Sequence, residues 1–244
     1  MSDWLFDLGN TRLKLAPLLA MGEAAVEAFA HRDDALDPAW TASLPPRMEE
    51  AWVASVGPPA LRASLLQALV PRAARVVEVR VEPTMADVRI GYPEPARLGV
   101  DRALALVGAR GRTARPALVV GVGTALTVDL VDAGGRHLGG CIAASPTLMR
   151  EALNARAPQL PVAGGEPGFF ANDTVDALAA GCTGAALGLV ERCRAEAVRR
   201  EGPGLALLVH GGGAAELLPG LADAVHAPAL VMEGLARLAR QAPG

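Results

Sequence analysis

One lysine, Lys14, stands among the 23 basic residues of this chain, and Tyr92 is its one tyrosine. Other scarcities exclude whole classes of protein. The three cysteines, Cys141, Cys182 and Cys193, form no C-x-x-C pair and have no histidine at ligand spacing, so they read as buried thiols and not as a metal site. No continuous apolar run approaches the ~18 residues of a membrane helix. Asp3 and Asp7 stand where a secretory leader would be basic and then apolar, which points to the cytoplasm. A net charge of −3 leaves no basic field to meet a nucleic-acid backbone. The densest basic group, Arg192, Arg194, Arg199 and Arg200, alternates with Glu191, Glu196 and Glu201 as on a solvated helix face. No G-x-x-x-x-G-K-[ST] occurs, which excludes a P-loop. "GVGTAL" at Gly121 carries two glycines of a dinucleotide fingerprint, but the alternating residues after it read as a strand where that fingerprint needs a helix. "HGGG" at His210 has no G-x-S-x-G nucleophile elbow to accompany it.

What is present describes a compact α/β protein. Of 244 residues, 51% are hydrophobic and 20% charged, enough for one large domain or two of about 110–130 residues. Two stretches resemble one another: "WLFDLGNTRLKLAPL" near the start and "LVVGVGTALTVDLVD" from Leu118. Each is an apolar strand, a glycine turn with a threonine, and a second alternating strand, so a duplication is expected, with its boundary near Arg110–Pro116. In the first half, Ala51–Val56 and Val76–Val81 read as strands, and Pro59–Leu69 and Gly99–Ala109 as helices. In the second half, Arg136–Ile142 and Leu205–Val209 read as strands. Ser145-Pro146 opens a helix to about Arg156, and Asp173 opens a long one to about Arg200 whose Gly181, Gly184 and Gly188 mark a face open to close approach. Gly211-Gly212-Gly213 leads into a short helix, and a last helix covers about Val231 to Arg240. The expected fold is two similar α/β domains, residues 1–113 and 114–244, with a cleft between them.

The turns carry the chemistry. "DLGNTRLK", from Asp7, is a hairpin tip that presents a carboxylate, small-residue backbone, a hydroxyl and an ammonium. A chain biased to arginine would supply arginine at position 14 by default, so a compact ammonium there suggests a chemical requirement; a chance surface lysine is the plainer alternative. Two tips of this kind could donate N–H groups and hydroxyls to a polyphosphate, with Asp7 holding Mg²⁺ through water and Lys14 offsetting phosphate charge. Phosphoryl transfer then needs a base near the acceptor hydroxyl. Asp101 of "GVDR", in the first turn of a helix, fits that part; the alternative is a helix cap with Arg102 as a surface partner. The glycines after His210 suit close approach to a nucleotide or a structural turn.

D-x-G-N-T-x-x-K from Asp7, "YPEPARLGVDR", "GTALTVD", "LGGCI" and "NDTVDA", in that order, resemble type III pantothenate kinases. That family belongs to the superfamily of acetate kinase, sugar kinases, Hsp70 and actin. The resemblance implies two ribonuclease H-like, or actin-like ATPase, domains. It also implies ATP-dependent phosphorylation of pantothenate, the first step of coenzyme A biosynthesis. By position it implies that Asp7, Leu8, Gly9, Asn10, Thr11, Arg12, Leu13 and Lys14 contact ATP phosphates and metal, with Thr124 in the second tip. Tyr92, Gly99, Val100, Asp101, Arg102 and Thr174 would contact pantothenate, with Asp101 taking the hydroxyl proton. The first domain would then hold the first phosphate loop, the pantothenate pocket and the base. The second would hold the other phosphate loop, an adenosine-side glycine loop at Gly211 and a dimer helix after Asp173. A homodimer with neither nucleic-acid nor membrane partners is implied. Relatives that depend on potassium carry an aspartate two residues before the G-T of the second tip; Gly121 stands there, which leaves a requirement for K⁺ or NH₄⁺ open. Two further readings compete: a kinase of the same fold acting on another small molecule, and a non-catalytic regulatory accessory protein.

Overall fold

The computed structural model describes residues 2–20, 25–32 and 35–242. They form two compact units, the first comprising residues 1–114, 135–137 and 229–244 and the second residues 115–134 and 138–228.

The first unit begins with an antiparallel hairpin, β1 (Trp4–Leu8) and β2 (Arg12–Pro17), extended by β3 (Glu27–Arg32) and the two-residue β4 (Ala35–Leu36). β5 (Met48–Ser55) then pairs parallel with β1. α1 (Pro59–Leu69) crosses over to β6 (Ala73–Glu78), parallel to β5, giving the order β4-β3-β2-β1-β5-β6. Strand alternation sends Phe6 and Leu8 to one face, where they pack with Leu13, Leu15, Val53 and the Leu61, Leu65 and Leu69 stripe of α1. Asp7 therefore belongs to the other face of β1. A small hairpin, β7 (Thr84–Met85) and β8 (Val88–Arg89), leads to α2 (Val100–Arg112), which is buried from Arg102 to Ala109.

The second unit repeats the plan. β9 (Ala117–Val122) and β10 (Ala125–Val131) form an antiparallel hairpin, followed by β11 (His137–Ala144), α3 (Pro146–Arg156) and α4 (Thr174–Glu201). β12 (Ala206–His210) pairs parallel with β9, and after the one-turn α5 (Ala214–Leu217), β13 (Ala224–His226) pairs parallel with β12. The order β11-β10-β9-β12-β13 matches β3-β2-β1-β5-β6 strand for strand. Both units are ribonuclease H-like, and the chain is α/β. Leu118, Val120, Val122, Leu126, Val128 and Leu130 face Ala186, Val190 and Ala197 of α4. α4 is also, among the described residues, the one helix long and apolar enough to span a membrane by length and composition.

The last helix, α6 (Leu230–Gln241), belongs to the first unit and packs along α2. Glycines make this crossing close. A Cβ on Gly234 would fall 1.9 Å from the Leu104 carbonyl oxygen, and one on Gly108 2.3 Å from that of Leu230.

Two expectations change. Cys182 is buried, but Cys141 is exposed and Cys193 half-buried, their sulfurs 3.9 Å apart, because β11 is an edge strand beside α4. At Gly181, Gly184 and Gly188 nothing lies within 4 Å of a would-be Cβ among the described residues outside α4's own neighbouring backbone, so no described segment makes the close approach those glycines permit.

Candidate active site

The first tip is built from the β1–β2 ladder. Asp7 and Lys14 are direct cross-strand partners, and the bond from Gly9 N–H to the Arg12 carbonyl, 3.0 Å, closes the turn. Leu8 and Leu13 are fully buried, so only their backbone faces the tip, while Asn10, Thr11 and Arg12 are exposed. Asp7 is 8% exposed, and loss of solvent pushes its carboxyl up to about 6; the Lys14 ammonium opposes that rise and the Asp101 carboxylate adds to it. Lys14 and Asp101, the other two charged groups singled out from sequence, thus both bear on Asp7 within one unit. Lys14 is half-buried opposite Asp7, which disposes of a chance surface lysine.

Asp101 lies in the first turn of α2, where its Oδ1 accepts the Arg102 N–H at 2.9 Å. This is a favourable end of the helix for a carboxylate. A Cβ on Gly99 would sit 2.6 Å from that Oδ1, so the glycine before "VDR" leaves room for the carboxylate. Arg102 is not the surface partner that a simple cap predicts. It is 7% exposed and donates to the Tyr92 hydroxyl at 3.3 Å, its guanidinium carbon 5.9 Å from the ring centroid. Tyr92 stacks on His137, centroids 5.7 Å apart and planes at 17°. A carboxyl and an ammonium paired across a strand hairpin, a second carboxylate in the first turn of α2 and an arginine–tyrosine pair beginning at the next residue can bind a metal–polyphosphate and hold an anionic molecule that bears a hydroxyl.

In the second unit, Gly123 N–H donates to the Ala125 carbonyl at 2.9 Å, leaving Thr124 at the turn. A Cβ on Gly121 would meet Thr127 Oγ1 at 2.6 Å and His210 Nε2 at 3.0 Å. Gly211 takes a φ of +96°, and the close approach it makes is to the Val122 backbone, within the chain. Glu216 of α5 accepts from Thr183 of α4 at 2.7 Å and pairs with Arg150 of α3 at 2.9 Å, which fixes the helix after that loop. Thr174 opens α4. Asp173 caps the helix by accepting the Val175 and Asp176 N–H groups at 2.8 and 3.0 Å, and these bonds hold its carboxyl below the usual range. Thr174 lines an open depression with Leu160, Asn172 and Leu178, and the adjacent Phe169 and Phe170 are wholly exposed.

A family profile described as type III pantothenate kinase matches residues 4–196. A type III pantothenate kinase of Stenotrophomonas maltophilia is 52% identical over 243 residues, covering 100% of this chain and 99% of that one. The enzyme of that name from Xanthomonas oryzae pv. oryzae is 53% identical over 242 residues, covering 99% of each. The chain belongs to the type III pantothenate kinase family. Solved structures agree on the fold. A Campylobacter jejuni protein named for the Baf family of transcriptional activators covers 98% of each chain with a TM-score of 0.65 at 17% identity. Component A of the Acidaminococcus fermentans (R)-2-hydroxyglutaryl-CoA dehydratase covers 98% of this chain and 96% of its own with a TM-score of 0.54 at 14% identity. At those identities the likeness is one of fold alone.

Three residues beside the kinase motifs escape a sequence reading. His31 of β3 bonds through Nε2 to the Gly9 carbonyl at 2.9 Å. His137 packs under Tyr92 with 1% of its surface exposed. Gly57 lets the chain pass the first tip, since a Cβ there would lie 2.9 Å from the Gly9 oxygen. Only Gly57 has a sequence signal, as the first break after an apolar strand; the histidines act through partners 22 and 45 positions away.

Proposed function

We propose that Asp101 is the general base of an ATP-dependent phosphorylation of pantothenate, the activity that names the family and opens coenzyme A biosynthesis. The observation that carries this reading is the placement of Asp101 in the first turn of α2, its Oδ1 on the Arg102 N–H at 2.9 Å, in the same unit as the Asp7–Lys14 cross-strand pair. The Asp101 carboxylate accepts the proton of the primary hydroxyl as that oxygen bonds to the γ-phosphorus and the bond from phosphorus to ADP breaks, and the N-terminal end of α2 is a favourable place for a carboxylate. Arg102 pairs with the pantothenate carboxylate, steered by Tyr92. Gly99 and Val100 line the same pocket, and Thr174 contributes a hydroxyl. Lys14 sets its ammonium against ATP phosphates, which the backbone of Gly9 to Arg12 and Thr124 also contact. Asp7 suits a hydrated Mg²⁺: it is a buried carboxyl on which a second carboxylate, Asp101, acts, with one ammonium, Lys14, in opposition. Bound with ATP, the metal supplies charge neutralisation on the phosphates.

The two compact units serve as the two domains of this kinase, which works in the cytoplasm as a homodimer. Wholly exposed Phe169 and Phe170 and the unfilled glycine positions on α4 support a second copy on that side. No monovalent cation is required at the second tip, because the Thr127 hydroxyl and the His210 ring crowd the place a carboxylate at position 121 would take.

The test is phosphorylation of pantothenate by the purified protein with Mg²⁺ and ATP, in sodium, potassium and ammonium buffers. Asp101→Asn lowers kcat by about 10²–10⁴ while ATP still binds. Equal rates in the three buffers support the cation reading, and a rate confined to potassium or ammonium overturns it. Folded protein that binds ATP and makes no product in any buffer overturns the pantothenate assignment.

A further inference from the structure

We infer that His31 is the positioning residue of the first phosphate tip, the side chain that turns the tip's amides toward the nucleotide. This rests on the proposed use of that tip for ATP phosphates.

One residue holds both carbonyls that flank Asn10. The His31 backbone N–H donates to the Thr11 oxygen at 3.1 Å, and its ring, 8% exposed, reaches the Gly9 oxygen at 2.9 Å through Nε2. A carbonyl oxygen only accepts, so Nε2 carries the proton. Peptide units are trans and planar here, and a trans unit points its C=O and N–H in opposite directions. Drawing the Gly9 oxygen to the His31 ring therefore turns the Asn10 N–H away from that ring, and drawing the Thr11 oxygen to the His31 backbone turns the Arg12 N–H away from it. Both N–H groups of the exposed tip are thereby turned from His31, an arrangement that suits an anion. In a two-residue hairpin turn the Gly9 oxygen would ordinarily accept from Arg12 N–H; here the ring takes it, and the turn is closed from the other strand by Gly9 N–H on Arg12. The second tip, closed by Gly123 N–H on the Ala125 carbonyl, is one residue shorter.

His31 touches no phosphate in this scheme, so its effect passes through the tip and falls on the nucleotide alone. The experiment compares His31→Phe, which keeps the ring's bulk without a donor, with His31→Gln, whose side-chain amide presents an N–H at about the reach of Nε2. Binding of a non-hydrolysable ATP analogue with Mg²⁺ is measured by calorimetry, alongside KM for ATP and for pantothenate and a thermal melt. His31→Phe is expected to weaken analogue binding and raise KM for ATP by ~10-fold, the effect of one lost hydrogen bond, with KM for pantothenate within about twofold of the parent. His31→Gln is expected to recover most of the loss. Unchanged analogue binding in His31→Phe, an equal rise in both KM values, or a Gln variant no better than Phe overturns the inference. If the parent protein binds the analogue but does not phosphorylate pantothenate, the acceptor reading fails, while the binding arm still decides the role of His31.

Discussion

The two hairpin tips share a backbone and differ in charge. In the first, Asp7 stands between Lys14 on one neighbouring strand and Ala54 on the other; in the second, the same rung is Gly121 between Thr127 and His210. The next rung matches to the atom. Gly57 N–H donates to the Leu8 carbonyl at 3.1 Å, and Gly213 N–H donates to the Val122 carbonyl at 2.9 Å. A duplicated scaffold has thus kept the bond that ties each neighbouring glycine loop to its tip strand, and changed the length of the tip and what stands on it. The first rung sets a buried carboxyl opposite a half-buried ammonium, and the second sets a glycine against an imidazole and a hydroxyl. In the proposed kinase, metal and charge handling would then fall to the first tip, and the second would offer backbone and hydroxyl donors.

Substitutions that make either tip resemble the other test this division. The largest effect is expected from Gly121→Asp. Its Cβ alone would collide with Thr127 and His210, and its carboxylate would be buried, so stability should fall by on the order of 3 kcal/mol, read as a lower urea midpoint. A folded Gly121→Asp protein with unchanged midpoint would show that the second rung has room for charge. The reciprocal change, Asp7→Asn, should weaken Mg²⁺ dependence about 10–100-fold, measured as the Mg²⁺ concentration for half-maximal rate.

The same carboxyl gives a pH signature. Its pKa is about 6 in the folded protein against 3.8 in the unfolded chain, so the folded state holds the proton longer. Stability from this group is greatest below pH 4 and is lost as pH rises to about 6, a total on the order of 3 kcal/mol. Melts of the metal-free protein between pH 4 and 7 should show this decline, and Asp7→Asn should lack it. A parent curve that rises over this window, or an Asn variant that declines equally, would count against a buried, proton-holding Asp7. The smallest effect is expected from Thr124→Val, a few-fold rise in KM for ATP, since one hydroxyl among several donors is lost.

Much of this was legible in the sequence because it is local. α1 and α3 lie where proline and serine signals put them, with Ser145 Oγ accepting the Leu148 N–H at 3.3 Å, and the two hairpins follow from alternation around Gly9 and Gly123. The duplication could be read from fifteen residues of each half. β3, β4, β7, β8 and β13 could not. They are two to six residues long, too short for a period to show, and pairing with a neighbour defines them. His31 and His137 were invisible for a related reason, since each owes its role to a partner brought near by sheet or hairpin. The sequence left Arg102 two places, the substrate pocket and a surface partner of a helix cap, because an arginine after a first-turn aspartate usually faces water; burial against Tyr92, whose hydroxyl accepts from it, could not be read there.

The last helix has a bearing on synthesis. Since α6 fills the groove along α2 through the Gly108 and Gly234 contacts, the first unit, begun with residue 4, is closed only by residues near 240. A nascent chain leaving the ribosome would have β1 to α2 in hand with the apolar side of α2 still uncovered, while the second unit could already be complete. The half that carries Asp7, Lys14 and Asp101 would then be the last to become native, so a message truncated a dozen codons early would yield a chain with a finished second unit and no working kinase.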